Sequence, residues 1–129
     1  MKLPDLNNYP SILEFHQINE IYEIVLHQFD KASQFGDTNK LVTYLIVVIH
    51  SQAYRPDEGL RIDLALRVLK YLESWWDEAN SELCESITTL SANLYIPAAL
   101  SFLEEKKKTT KSKMIKREII DAISEIMSS

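Results

Sequence analysis

Apolar residues recur every three or four positions along most of this chain, which is the spacing of one face of an α-helix. Phe15, Ile18, Ile21, Tyr22, Val25, Phe29 and Ala32 form the first such stripe. Ser11-Ile12-Leu13-Glu14 precedes it and matches the capping-box pattern of Ser followed three residues later by Glu. The predicted first helix therefore starts near Ser11 and ends around Phe35-Gly36, where Gly36 can supply a left-handed terminator. Asp37 can cap a second helix, from Thr38 to about Ser51. Its centre, Leu41 to Ile49, is rich in β-branched residues, and periodicity alone cannot tell so short a run from a strand. The flanking caps and the lack of a strand partner elsewhere favour a buried helix.

Arg55-Pro56-Asp57 reads as a turn that opens a third helix, from Asp57 to about Trp76. Ile62, Ala65, Leu69, Leu72 and Trp76 fall on one side of it, flanked by Leu60, Leu64, Val68, Tyr71 and Trp75. So wide an apolar arc predicts a central helix touching neighbours on several sides. A fourth helix is expected over roughly Glu78 to Asn93, with Leu83, Ile87, Leu90 and Leu94 inward and Cys84 beside them. Pro97 begins a short fifth helix to about Lys106. Lys107 to Lys111 reads as a polar loop, and Ser112 caps a last helix with Ile115, Ile119, Ala122, Ile123 and Ile126 on its buried side.

Composition agrees with this pattern. At 129 residues and 46% hydrophobic content, the chain can bury a core as one domain. Its 2 glycines and 4 prolines are too few for the turns that sheets and hairpins require. The fold class is all-α, about six helices stacked as antiparallel hairpins or a compact bundle. Ile96-Pro97-Ala98-Ala99-Leu100-Ser101-Phe102-Leu103, followed by Ile115-Lys116-Arg117-Glu118-Ile119-Ile120-Asp121-Ala122-Ile123, resembles the paired helices of a HEAT-type repeat over about a quarter of the chain. That resemblance implies a stack of helical hairpins used for binding.

Charge divides the chain. Residues 1–105 hold 7 bases and 16 acids, whereas residues 106–129 hold 7 bases and 3 acids. An acidic body repels phosphates and anionic lipid, which argues against nucleic acid and membrane partners and for a cationic protein. The single cysteine, Cys84, excludes an internal disulfide. With no signal-type apolar core at the start and no apolar run near 20 residues, a cytoplasmic location is expected.

The acids are concentrated. Tyr71 to Glu105 holds seven acids and both tryptophans without one Lys or Arg, and Lys106 to Arg117 then holds seven bases and no acid. Glu78, Glu82 and Glu85 recur at i, i+4 and i+7, opposite the apolar stripe of the fourth helix, and predict an outward acidic line. Trp75 is expected at its edge and Trp76 in the core. The candidate partner-binding set is Tyr71, Glu73, Trp75, Asp77, Glu78, Glu82 and Glu85, with an aromatic as anchor. Lys106–Arg117 is the alternative surface, for RNA or an acidic protein, or else lies against the acidic stretch within the fold.

Motifs for catalysis are weak. His16, Glu20, Glu23 and His27 share one face of the first helix and suggest a small metal-dependent enzyme as a further alternative. Distance argues against one ion, because His16 and His27 stand about 16 Å apart along a helix rising ~1.5 Å per residue. Only His16/Glu20 or Glu23/His27 can share a metal, with ligands from elsewhere. Cys84 lacks an activating neighbour and reads as a small core residue. No Gly-rich phosphate loop, nucleophile elbow or zinc spacing occurs. No enzyme activity, cofactor or metal is therefore expected. In size, charge and architecture the chain resembles bacterial immunity proteins, and that resemblance implies neutralisation of a basic, nuclease-type toxin by covering its cationic active site.

Overall fold

The computed structural model describes residues 3–29, 31, 37–51 and 60–128. Among them are six α-helices: α1 (Phe15–Leu26), α2 (Thr38–His50), α3 (Ile62–Trp75), α4 (Ser81–Leu94), α5 (Pro97–Thr109) and α6 (Lys113–Ser128). A short 3-10 turn, Leu6–Asn8, precedes them. The all-α fold class holds, and the β-branched Leu41–Ile49 run is helical, with Leu41, Val42, Leu45, Val48 and Ile49 inward. Tertiary packing, not local propensity, makes such a run a helix.

Helix α4 is the centre of the molecule. It packs against α2 and α3 on one side and against α5 and α6 on the other. The pattern of apolar residues had pointed to the third helix instead. Small residues explain the difference: Cys84, Thr88, Ser91 and Ala92 are all buried and widen the inward arc of α4 beyond its leucine stripe. Helix α3 is narrower than expected, since Ile62 is 68% exposed and Leu66 46% exposed. Helix α1 packs on α2 and α3, and α5 pairs with α6 as a hairpin. Buried residues of all six helices join one core, from Leu13 to Ala122.

The helix ends depart from the expected ones for local reasons. Helix α1 begins at Phe15, four residues later than Ser11. The Leu13 N–H instead donates to the Ser51 carbonyl at 2.7 Å, which pins this segment in extended form to the end of α2. The capping box is displaced with it, and Gln17 Oε1 accepts the Glu14 N–H at 2.9 Å. Helix α1 ends at Leu26, where the Gln28 N–H bonds three residues back to Val25. The expected terminator Gly36, the stripe residue Ala32 and the Arg55-Pro56-Asp57 turn lie outside the described residues.

Helix α4 starts at Ser81 and not near Glu78, because the Asn80 side chain accepts the Leu83 N–H at 3.1 Å. Its far end is closed by Tyr95 in the left-handed region, at φ 53° and ψ 43°. Helix α5 continues to Thr109, so Lys107–Lys108 are helical and the link to α6 is only Thr110–Ser112. Lys106, Lys107 and Lys108 sit in the last turn of α5, where cations suit the helix dipole. The Ser112 hydroxyl caps α6 as expected, accepting the Ile115 N–H at 3.2 Å.

Tyr22 donates its hydroxyl to the Leu45 carbonyl at 3.1 Å inside the core, tying α1 to α2. Tyr44 donates to the Pro4 carbonyl at 2.7 Å and holds the N-terminal arm, with burial raising its pKa to about 12. No helix among the described residues is long and apolar enough to cross a membrane.

Candidate functional site

The expected acidic line is dispersed among three neighbourhoods. Glu78 lies in the α3–α4 turn and accepts the Thr110 hydroxyl at 2.6 Å and the Trp76 Nε1–H at 3.3 Å. The Thr110 contact, more than Trp76 or the nearby Lys106, holds its carboxyl below the usual carboxylate range. Glu82 accepts from Asn39 Nδ2 at 3.2 Å, joining the starts of α2 and α4. Only Glu85 faces a further acid, Glu118 of α6. Asp77 is spent on the turn itself: its side chain accepts the Ala79 N–H at 3.0 Å.

The two tryptophans exchange their expected places. Trp75 is 9% exposed and packs on Phe29 and Tyr71, with ring centroids 5.1 Å and 5.7 Å away. Trp76 is half-buried and meets Phe102 edge-on at 5.7 Å, beneath the Lys106 ammonium. The reason is that α3 ends at Trp75. The backbone of Trp76 turns to ψ 120°, which takes its ring off the helix wheel and towards α5. Trp75 is therefore a core residue, with little surface to offer as an anchor. Tyr71 is half-buried against Phe29 at 4.9 Å and lines a shallow hollow with Arg67, Lys70 and Ser74. Glu73 lines another, between α3 and α5, with Phe102, Glu105 and Lys106.

Part of the basic run is used inside the fold. Lys106 stacks over Trp76 and Phe102, and Lys107 pairs with Glu104 at 3.0 Å. Thr110 completes the contact by closing on Glu78. The junction of the acidic and basic stretches is thus a clasp between the α3–α4 turn and the end of α5.

A further concentration of negative charge lies in the seam between α4 and α6. A groove of about 200 Å³ is lined there by Glu85, Glu118, Asp121 and Glu125, with Thr88 and Asn93 between them. Among the described residues no cation lines it. The three α6 acids are spaced i, i+3 and i+7, which brings them to one side of that helix. Lys113, Lys116 and Arg117 are also on α6 but are absent from the groove lining. Burial, and secondarily Glu85, pushes the Glu118 carboxyl up, and its Oε2 is buried without a hydrogen-bond partner. The net positive count of residues 106–129 hid this stripe, although its spacing was present in the sequence.

The α1 face gains a structural partner. Glu23 accepts from Arg61 Nη1 at 2.8 Å, and Arg61 also pairs with Asp63 at 2.7 Å. Among the described residues, no group of three or more His, Cys, Asp or Glu side chains is placed to hold a metal ion. Cys84 is buried, its thiol pKa is pushed up by burial, and its Sγ–H donates to the Asp77 carbonyl at 3.2 Å. Such a thiol is the opposite of an activated nucleophile.

No family model matches the chain, and neither a curated protein nor a solved structure is similar to it.

Proposed function

We propose that this chain is a protein-binding module that captures a cationic segment of a partner protein in the α4/α6 groove. One observation carries the reading: Glu85, Glu118, Asp121 and Glu125 converge on one groove with no cation in its lining among the described residues. Like charges gathered in this way disfavour one another. A Lys or Arg from a partner relieves that repulsion and forms charge-assisted bonds with the carboxylates that line the groove. Complementary charge also steers encounter and excludes acidic competitors. The specific form we propose is an immunity-type inhibitor, which covers the cationic active site of a basic toxin and stands in for the phosphates of its substrate.

The test is binding of a lysine decapeptide at low and high salt. The combined change Glu118→Gln, Asp121→Asn and Glu125→Gln weakens binding by about tenfold or more, near 1.4 kcal/mol. The change Lys113→Gln, Lys116→Gln and Arg117→Gln does not weaken it. The reverse pattern, in which only the basic residues matter, contradicts the proposal. The inhibitor form is tested with the product of the neighbouring gene: a basic toxin domain there loses its activity in an equimolar mixture with this chain.

A further inference from the structure

The acidic groove continues into an apolar corner. Ala92 lines both the groove and an adjoining hollow of about 240 Å³, where α4 turns into α5 beside the end of α6. Tyr95, Ile96, Leu100 and Ile126 give that hollow an apolar wall, and Ser91 contributes the one hydroxyl of α4 that lines it. Ser91 is 0% exposed, and its Oγ has no hydrogen-bond partner. Serine and threonine within a helix ordinarily bond the carbonyl four residues back. Thr88 does so, donating to Cys84 at 2.8 Å. Ser91 is thus closed off from a ligand, and the wall that the hollow offers is apolar.

The size and position of the corner limit what fits. A dry cavity of about 150 Å³ already holds a benzene molecule, so this corner has room for one large side chain. Ile126 lies eight residues beyond Glu118 on α6, about 12 Å along the axis. An extended chain covers that distance in about four residues. Charge and apolar surface are therefore presented together, within reach of one short peptide segment.

We infer that the α4/α6 seam binds a cationic segment of a partner protein that also carries one large aromatic side chain, seated in the Ala92–Leu100–Ile126 corner. This rests on the reading of the groove as a surface for a cationic partner, and it adds a second determinant of specificity. The basic residues lie along Glu85, Glu118, Asp121 and Glu125. The aromatic enters where α4 ends, and tryptophan brings the largest apolar ring surface to that wall.

The experiment compares two peptides on the full chain by fluorescence anisotropy: a lysine decapeptide, and the same peptide with one central lysine replaced by tryptophan. The tryptophan peptide binds about tenfold tighter although it carries one charge fewer. Leu100→Asn removes that advantage and leaves the affinity for the lysine peptide unchanged. Equal affinity of the two peptides for the unaltered chain overturns this inference while the cationic-partner reading stands. An advantage for tryptophan that survives Leu100→Asn places the aromatic elsewhere and overturns it as well. Failure of both peptides to bind at low salt overturns the underlying reading, and the inference with it.

Discussion

At Glu118 a carboxylate is held where burial and the like charge of Glu85 both disfavour its ionised form. Its folded pKa lies above the unfolded one, so the folded state binds the proton more readily. The destabilisation is present in full above the folded pKa. It fades as pH falls from that value towards the ordinary 4.5, and below 4.5 it is gone. Glu118→Gln therefore raises stability at pH 7 by less than about 1 kcal/mol, and the melting temperature with it, because the half-buried side chain is still screened in part by solvent. The gain disappears below the ordinary carboxylate pKa, and thermal melts at the two pH values check both halves. A residue that costs stability at neutral pH and faces other acids suits a surface selected for its charge. The sequence holds Glu118, Asp121 and Glu125 at a helical spacing, but their pairing with Glu85 is a tertiary fact, set by how α4 meets α6. Glu78, Glu82 and Glu85 all face outward as expected, but they do not form one helical line, for a related reason. Asn80 starts the helix after Glu78, so Glu78 lies in the turn and does not share the helical spacing of Glu82 and Glu85.

Among the elements, the end of α4 borders the proposed binding corner. Tyr95 adopts the left-handed conformation that glycine usually takes at a helix end, and for any other L-residue it costs about 1–2 kcal/mol. Replacement by alanine removes the ring and keeps the cost, whereas glycine removes both. Tyr95→Gly is accordingly more stable than Tyr95→Ala by about 1 kcal/mol, a difference that urea unfolding of the two variants measures. Equal stabilities contradict the strained conformation assigned to Tyr95. Helix existence was readable from the apolar spacing in five of the six described α-helices, and in α2 the flanking cap and the lack of a strand partner decided. Helix ends were readable only where a single local signal decided, as with Pro97 and Ser112. Where a long-range bond decided, as for Leu13 against Ser51, or where the chain left the helix at Trp76, the spacing was misleading.

In the whole molecule, α4 packs against α2, α3, α5 and α6, and Glu85 remains at the surface beside its seam with α6. The sequence conveyed the sign of the charge but not its location. Most of the Tyr71–Lys111 junction is consumed by the clasp of Trp76, Glu78, Thr110 and Lys106, which ties the acidic and basic stretches to each other. The acids that share a groove without a cation in its lining, among the described residues, are those of the α4/α6 seam, whereas Glu73 and Glu105 share theirs with Lys106. The central claim is that a cationic partner lands there, and the most direct measurement is an amide NMR titration of the full chain with a lysine decapeptide. At low salt the account predicts the largest shifts at Glu85, Thr89, Asp121 and Glu125, shrinking as added salt shortens the screening length to a few ångströms. Shifts centred on Glu73 and Glu105, or on Lys106–Arg117, with the α4/α6 seam unmoved, would contradict it.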